Sequence, residues 1–196
     1  MVDLTPLGMA AIALLLERPM HPYEMYQTLL HRREDRNIKV RPGSLYHAID
    51  RLAEQGLVEQ LSTEREGNRP ERTTYAVTDA GRSALLDHVR AMLRTPAREY
   101  PEFPLAVSEA HNLPAATVVA LLGERRAALV EELDDLRMGL EAVRSTALPR
   151  RFTLDVSYKI AILAADLDWL ETAITDIGSG HISWTEPVPP QPKVNS

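Results

Sequence analysis

Prolines stand at positions 6, 22 and 42, each at the front of an apolar pattern with helical spacing. A proline is tolerated in the first turn of an α-helix, where no N–H is needed, but not in its interior. The three residues therefore mark where helices begin. In "TPLGMAAIALLLERP", Thr5 can cap a helix that Pro6 opens, Leu7, Ala11, Leu14 and Leu15 recur on one face, and Pro19 ends it. "HPYEMYQTLLHRR" repeats the arrangement, with Tyr23, Tyr26, Leu29 and Leu30 as the stripe. "RPGSLYHAIDRLAEQG" is the third case. Leu45, Ala48, Ile49 and Leu52 share one face, while Ser44, His47 and Arg51 fall on the other. Gly56 suits the left-handed residue that closes a helix.

Between the second and third helices, "NIKVR" alternates apolar and basic residues, which predicts a very short strand. After the third, "LVEQLST" and "RTTYAVT" read as two strands. They are joined by "EREGNRPE", in which Gly67-Asn68 supplies the turn and Pro70 blocks an edge. "TDAGRSALLDHVRAMLR" opens a fourth helix capped by Thr78. The order helix, helix, short strand, helix, hairpin, helix is that of a winged helix-turn-helix, expected over residues 1–95.

Pro96, Pro101 and Pro104 then forbid one continuous helix and mark a boundary. Beyond it run two heptad-like seams. One contains Leu122, Leu129, Leu133, Leu136, Leu140 and Val143, with Arg126 filling the missing step. The other contains Ile160, Leu163, Leu167, Leu170, Ile174 and Ile177. "LPRRF" at 148–152 is the turn between them, so the two helices should run antiparallel. They can pair with each other or with a second subunit. The expected fold is mainly α: the winged domain, an all-helical dimerisation and effector domain over 96–184, and a Pro-rich disordered tail over 185–196.

The net charge of −6 argues at face value against a nucleic-acid partner, but its distribution matters more. Residues 1–95 hold 13 Lys/Arg and 13 Asp/Glu, whereas residues 96–196 hold 9 and 15. Between 18 and 51, the basic residues Arg18, Arg32, Arg33, Arg36, Lys39, Arg41 and Arg51 outnumber four acids. The absence of Cys excludes disulfides and thiolate chemistry and fits a reducing compartment. No basic segment precedes the apolar run at Met9–Leu16, which is too short to span a bilayer. A soluble, cytoplasmic protein without a membrane partner is expected. The six histidines are scattered, no HExxH, GxSxG, Walker or dinucleotide-binding glycine pattern occurs, and "EELDD" at 131–135 leaves the seam intact. No enzyme, metal or cofactor is expected.

The leading end of the third helix is the best candidate site. Its free N–H groups and dipole favour a phosphate oxygen. Ser44 and Tyr46 can add hydroxyl donors, Arg41 can neutralise a phosphate, and His47 or Arg51 can reach a base edge. Lys39 and Gly43 belong to the same surface, and Arg69 and Arg72 are the wing contacts. The dimer seam is read as Leu129, Leu133, Leu136, Leu140, Ile160, Leu163, Leu167, Leu170 and Ile174. An apolar ligand pocket is read from Tyr100, Phe103, Phe152, Tyr158 and Trp169.

"PMHPYEMYQTL" at 19–29, "RPGSLYHAIDRLAEQGLV" at 41–58 and "TYAVTDAGR" at 74–82 together resemble the PadR family of bacterial transcriptional regulators. Pro22 replaces the glycine of that family's His-Gly-Tyr-Glu pattern. The part from 96 to 178 is similar to the longer members, which carry a helical region like that of virulence activators. The resemblance implies a homodimer whose winged domains bind a near-palindromic operator in double-stranded DNA, often as a repressor, and in some members a small aromatic or drug-like effector that releases the DNA. It carries Tyr23, Arg41, Ser44, Tyr46, His47 and the wing arginines as DNA contacts. The rival reading is a winged-helix protein–protein adaptor without DNA binding.

Overall fold

The structure is a computed structural model describing residues 4–64 and 72–184, with the side chains of 62–64 and 72 excepted. It divides into two compact units, one up to Glu99 and one from Tyr100. The first contains α1 (Pro6–Glu17), α2 (Pro22–His31), α3 (Pro42–Glu54), β1 (Val58–Glu64), β2 (Arg72–Val77) and α4 (Asp79–Arg94). Each of the three prolines occupies the first helical position of its helix. Thr5 accepts the Gly8 N–H at 3.1 Å, and Thr78 accepts the Gly81 N–H at 3.1 Å, so both expected caps form.

Leu7, Ala11, Ile12, Leu14 and Leu15 from α1, Met25 and Leu29 from α2, and Leu45, Ala48, Ile49 and Leu52 from α3 bury into one cluster. Leu57, Val58 and Leu85 close it. Burying side chains of this size stabilises by roughly 1.5–3 kcal/mol each against leaving them in water. The end of α3 is fixed by a pair of bonds, Gly56 N–H to the Ala53 carbonyl and Leu57 N–H to the Leu52 carbonyl, both 2.9 Å. They need Gly56 at φ +70°, a conformation costly for other residues.

β1 and β2 pair antiparallel from Val58↔Val77 to Glu64↔Arg72, with an irregularity between Gln60 and Ser62. The expected turn at Gly67-Asn68, Pro70 and the tail 185–196 lie outside the described residues. The strand expected at "NIKVR" does not form: a single 3-10 turn spans Glu34–Arg36, and Ile38 to Arg41 run on without a sheet partner. The alternation itself is real. Ile38 and Val40 pack on the core while Lys39 and Arg41 are exposed. The ladder position beside β2 is occupied instead by Met20, whose N–H and carbonyl bond Tyr75 at 3.1 and 3.0 Å.

The second unit contains α5 (Glu102–Ser108), α6 (Ala115–Arg144) and α7 (Leu154–Gly178), with a 3-10 turn at Arg150–Thr153 leading into α7. The short α5 was not expected among the prolines. Pro104 is admitted because it falls within the first turn, where N–H groups have no helical acceptor. Val118 and Leu122 pack with Leu170 and Ala173, and Leu133 and Leu136 pack with Leu163, so α6 and α7 are antiparallel. Among the described residues no helix is long and apolar enough to cross a membrane.

The tightest approach in the first unit is at the start of α4. A Cβ on Gly81 would lie 2.0 Å from the Leu57 carbonyl oxygen, whereas one on Gly43 would meet nothing within 4 Å. Gly81→Ala is expected to destabilise the domain by at least about 2 kcal/mol, because backbone must shift to admit the methyl. Gly43→Ala should leave the urea midpoint nearly unchanged, and the two midpoints measured side by side check the contrast.

Candidate nucleic-acid interface

The inner face of α3 decides what its outer face can present. Leu45 and Ile49 are fully inaccessible and Ala48 and Leu52 nearly so. By helical geometry Ser44, His47 and Arg51 must then point away from the core, and all three are exposed. Tyr46 is 41% exposed and Tyr23, near the start of α2, is 55% exposed. Gly43 is exposed as well. Arg41 occupies the N-cap position in an extended conformation, and no side chain caps the first turn of α3. Its leading N–H groups are therefore not spent on a side-chain acceptor, in contrast with α1, α2 and α4.

The cations of this region sort into two sets. Arg32 forms a two-pronged pair with Glu17 at 2.5 and 2.8 Å, and Arg18 pairs with Glu24. These bonds stitch α1 to α2, and Arg33 lies 4.0 Å from Asp35. Lys39, Arg41 and Arg51, by contrast, make no ion pair among the described residues, and all are exposed. A basic face is present, but it is narrower than the seven residues of the sequence suggest. Glu17 and Glu24, whose pairing removes Arg32 and Arg18 from it, were missed from sequence. The only signal available was a carboxylate at the end of α1 and another in the first turn of α2. Of the wing arginines, Arg69 lies outside the described residues. Arg72 begins β2, and its side chain is outside them too.

The second unit places its candidates differently from expectation. The seam residues Leu133, Leu136, Leu163 and Leu170 are buried within the chain's own hairpin, and Leu129, Ile160, Leu167 and Ile174 pack against them. Leu140 lines a hollow of about 50 Å³ beside the turn. The seams thus meet each other within the chain, one of the two pairings that the sequence allowed. A different stripe is left uncovered on α7. Leu154, Tyr158, Ile162 and Trp169, spaced four, four and seven apart, share a face and are 44–69% exposed.

The five aromatics read as a pocket do not converge. Phe103 meets Trp169 edge-on at 5.9 Å, and the Arg125 guanidinium lies 3.6 Å from the Phe103 ring centroid. Phe152 sits in the turn under Arg151, and Tyr158 lies about three helical turns before Trp169. Tyr100 is 80% exposed. Trp184 donates its indole N–H to the Leu113 carbonyl at 2.8 Å. No group of His, Asp or Glu able to hold a metal occurs among the described residues.

Three core helices with a two-stranded wing after the third make the first unit a winged helix-turn-helix domain. Residues 11–87, within the first unit, match the transcriptional regulator PadR-like family. The fold likeness reaches beyond that domain. Bacillus subtilis PadR in complex with operator DNA is 20% identical, with a TM-score of 0.74 over 88% of this chain and 99% of that one. The same protein in complex with p-coumaric acid gives 0.72 at 17% identity, over 88% and 98%. The Vibrio cholerae virulence activator AphA gives 0.67 at 18% identity, over 88% and 98%. At these identities the likeness is one of fold. No curated protein matches the sequence.

The ion pair at Glu17 carries a pH signature. The hydrogen bond from Arg32 holds the Glu17 carboxyl below its ordinary value, against a smaller opposing effect of burial. A carboxyl so lowered contributes stability above its unfolded-state titration and loses it as pH falls through the folded-state one. Both partners are about half exposed, so the contribution is under about 1 kcal/mol. Glu17→Gln should lower the urea midpoint slightly near neutrality, and the gap from wild type should close as the pH is taken down to about 3.

Proposed function

We propose that the protein is a sequence-specific DNA-binding transcriptional regulator that represses by occupying its operator. Supporting this above all are three exposed cations that have no carboxylate partner among the described residues: Lys39 and Arg41 at the uncapped start of α3, and Arg51 in its last turn on the outer face. Together they line the exposed side of α3 with positive charge on a chain that is acidic as a whole. Arg41, Lys39 and the hydroxyls of Ser44, Tyr46 and Tyr23 anchor phosphates, with the backbone at Gly43 close enough to share in this. His47 and Arg51 face base edges in the major groove. Arg69 and Arg72 extend the phosphate contacts from the wing. Such a regulator works beside the chromosome, in the cytoplasm.

On this reading residues 1–95 bind DNA and 96–184 join two subunits. The uncovered stripe Leu154, Tyr158, Ile162 and Trp169 is the natural seam for the second copy, since a soluble helix rarely leaves such a row in water. A twofold dimer reads a near-palindromic operator with half-sites about one helical turn, or a multiple, apart. The Bacillus subtilis relative has been seen with p-coumaric acid, which supports a small aromatic effector here also. Phe103, Trp169 and Arg125 offer such a molecule ring faces and a cation.

Titrating the protein against DNA from its own upstream region tests the reading, and absence of any shift at low salt would sink it. Arg41→Ala should weaken binding across sequences and reduce the slope of log K against log salt by about one. An unchanged slope removes Arg41 from the phosphate contacts. Tyr158→Asp, which places a charge in the exposed stripe, should shift sedimentation from dimer to monomer without unfolding the hairpin. An unshifted profile would remove the stripe from the dimer seam.

A further inference from the structure

The start of α2 is closed by an unusual capping box. Its N-cap is His21, whose imidazole Nδ1 accepts the Tyr23 N–H at 3.1 Å. Three residues on, the Glu24 carboxylate reaches back to the His21 backbone N–H and is also gripped by Arg18. Serine, threonine or aspartate usually fills the N-cap position, and none of these changes its accepting oxygen near neutral pH. A histidine does: Nδ1 accepts only while it carries no proton, and once protonated it is a donor facing a donor.

The same ring touches the DNA-facing helix. It lies edge-on to Tyr46 of α3, with ring centroids 6.4 Å apart at 76°. Tyr46 lies in the first turn and a half of α3, next to Ser44 and His47, and is partly exposed. The cap of one helix is thereby a wall for an aromatic side chain on the next. Ionisable groups around it among the described residues include Glu24 and Tyr23 on its own helix, Arg18 at the end of α1, Tyr46 on α3, and Tyr75 on β2 beside the preceding Met20. Glu24 favours a cation at His21, but Arg18 already engages that carboxylate, and the leading end of α2 disfavours one.

We propose that His21 is a positioning residue for the recognition helix, and that taking up a proton releases the ring from both Tyr23 and Tyr46, so that operator binding weakens on acidification. The proposal rests on the reading of α3 as the DNA-facing element. His21 itself touches no DNA in this account. It acts by holding Tyr46 where its hydroxyl meets a phosphate, and the proton acts by loosening that hold.

The test uses the full-length protein and a fluorescent duplex from its upstream region, at constant ionic strength, at about pH 7.5 and about pH 5.5, which bracket the ordinary histidine titration. Two variants are compared with wild type. His21→Asn keeps an acceptor at the N-cap and cannot titrate. His21→Ala keeps none. The Asn variant should retain most of the affinity at the higher pH, and the Ala variant should bind at least about threefold more weakly there, as loss of a cap implies. Between the two pH values wild type should lose at least about threefold more affinity than His21→Asn. Any gain from charging His47 is common to both proteins and cancels in the ratio. Parallel pH profiles for wild type and His21→Asn, both still binding DNA, would overturn the proposal alone. So would wild-type affinity in His21→Ala. If wild type bound no DNA at either pH, the reading of α3 would fall, and the proposal with it.

Discussion

The burial of Leu45 and Ile49 against α1 and α2 is the constraint on which the exposed face of α3 depends. A helix offers its outer residues only as firmly as its inner ones are held. Both side chains are fully enclosed, and the bonds that Gly56 and Leu57 make back to Ala53 and Leu52 fix where the helix ends. Rotation by one residue would bury Ser44 or Tyr46 and expose a leucine, at a cost of several kcal/mol. The direction of Ser44, His47 and Arg51 is therefore a property of the core, and no contact among those three is needed to set it.

The electrostatic surface follows a second sorting rule. The cations at the junction of α1 and α2 meet carboxylates, and among the described residues those at the start and outer side of α3 do not. Paired charges at half-exposed positions contribute little to stability, but they cancel each other's field. What remains is a small unbalanced patch on a chain whose net charge is −6. An overall negative protein can hold a polyanion because phosphate contacts operate within about 10 Å at ordinary salt.

Much of the first unit was legible in the sequence because its signals are local. Proline at the first helical position, threonine caps and a closing glycine each act within a turn, and each formed as expected. What failed depended on partners distant along the chain. "NIKVR" has the alternation of a strand, but a strand needs a ladder, and Met20 had taken the place beside β2. The pair Glu17–Arg32 spans fifteen residues and is set by how α1 crosses α2. The seams were visible as seams, yet periodicity cannot say whether the facing helix belongs to the same chain. Nor could it separate the aromatic residues: Phe103 and Trp169 meet only because α5 lies across the hairpin, and α5 itself carries too little pattern to be foreseen.

The two faces of α7 divide the labour of the second unit. One face, through Val156, Ile160, Leu163, Leu167 and Leu170, is consumed in holding α6. The other bears Leu154, Tyr158, Ile162 and Trp169, which stay 44–69% exposed although Phe103 meets the Trp169 ring. On the proposed dimer, folding of the hairpin and joining of subunits are physically separable, since a change on one face need not disturb the other. Trp169 belongs to both the exposed stripe and the Phe103–Arg125 cluster. An aromatic effector bound there could alter subunit placement only by interacting differently with two arrangements of the dimer, for equal affinity shifts no equilibrium. Under the proposed function, Trp169 would be shared between ligand contact and subunit contact and would supply that difference directly, because the ring that stacks on a ligand would be the ring that the second copy must also meet.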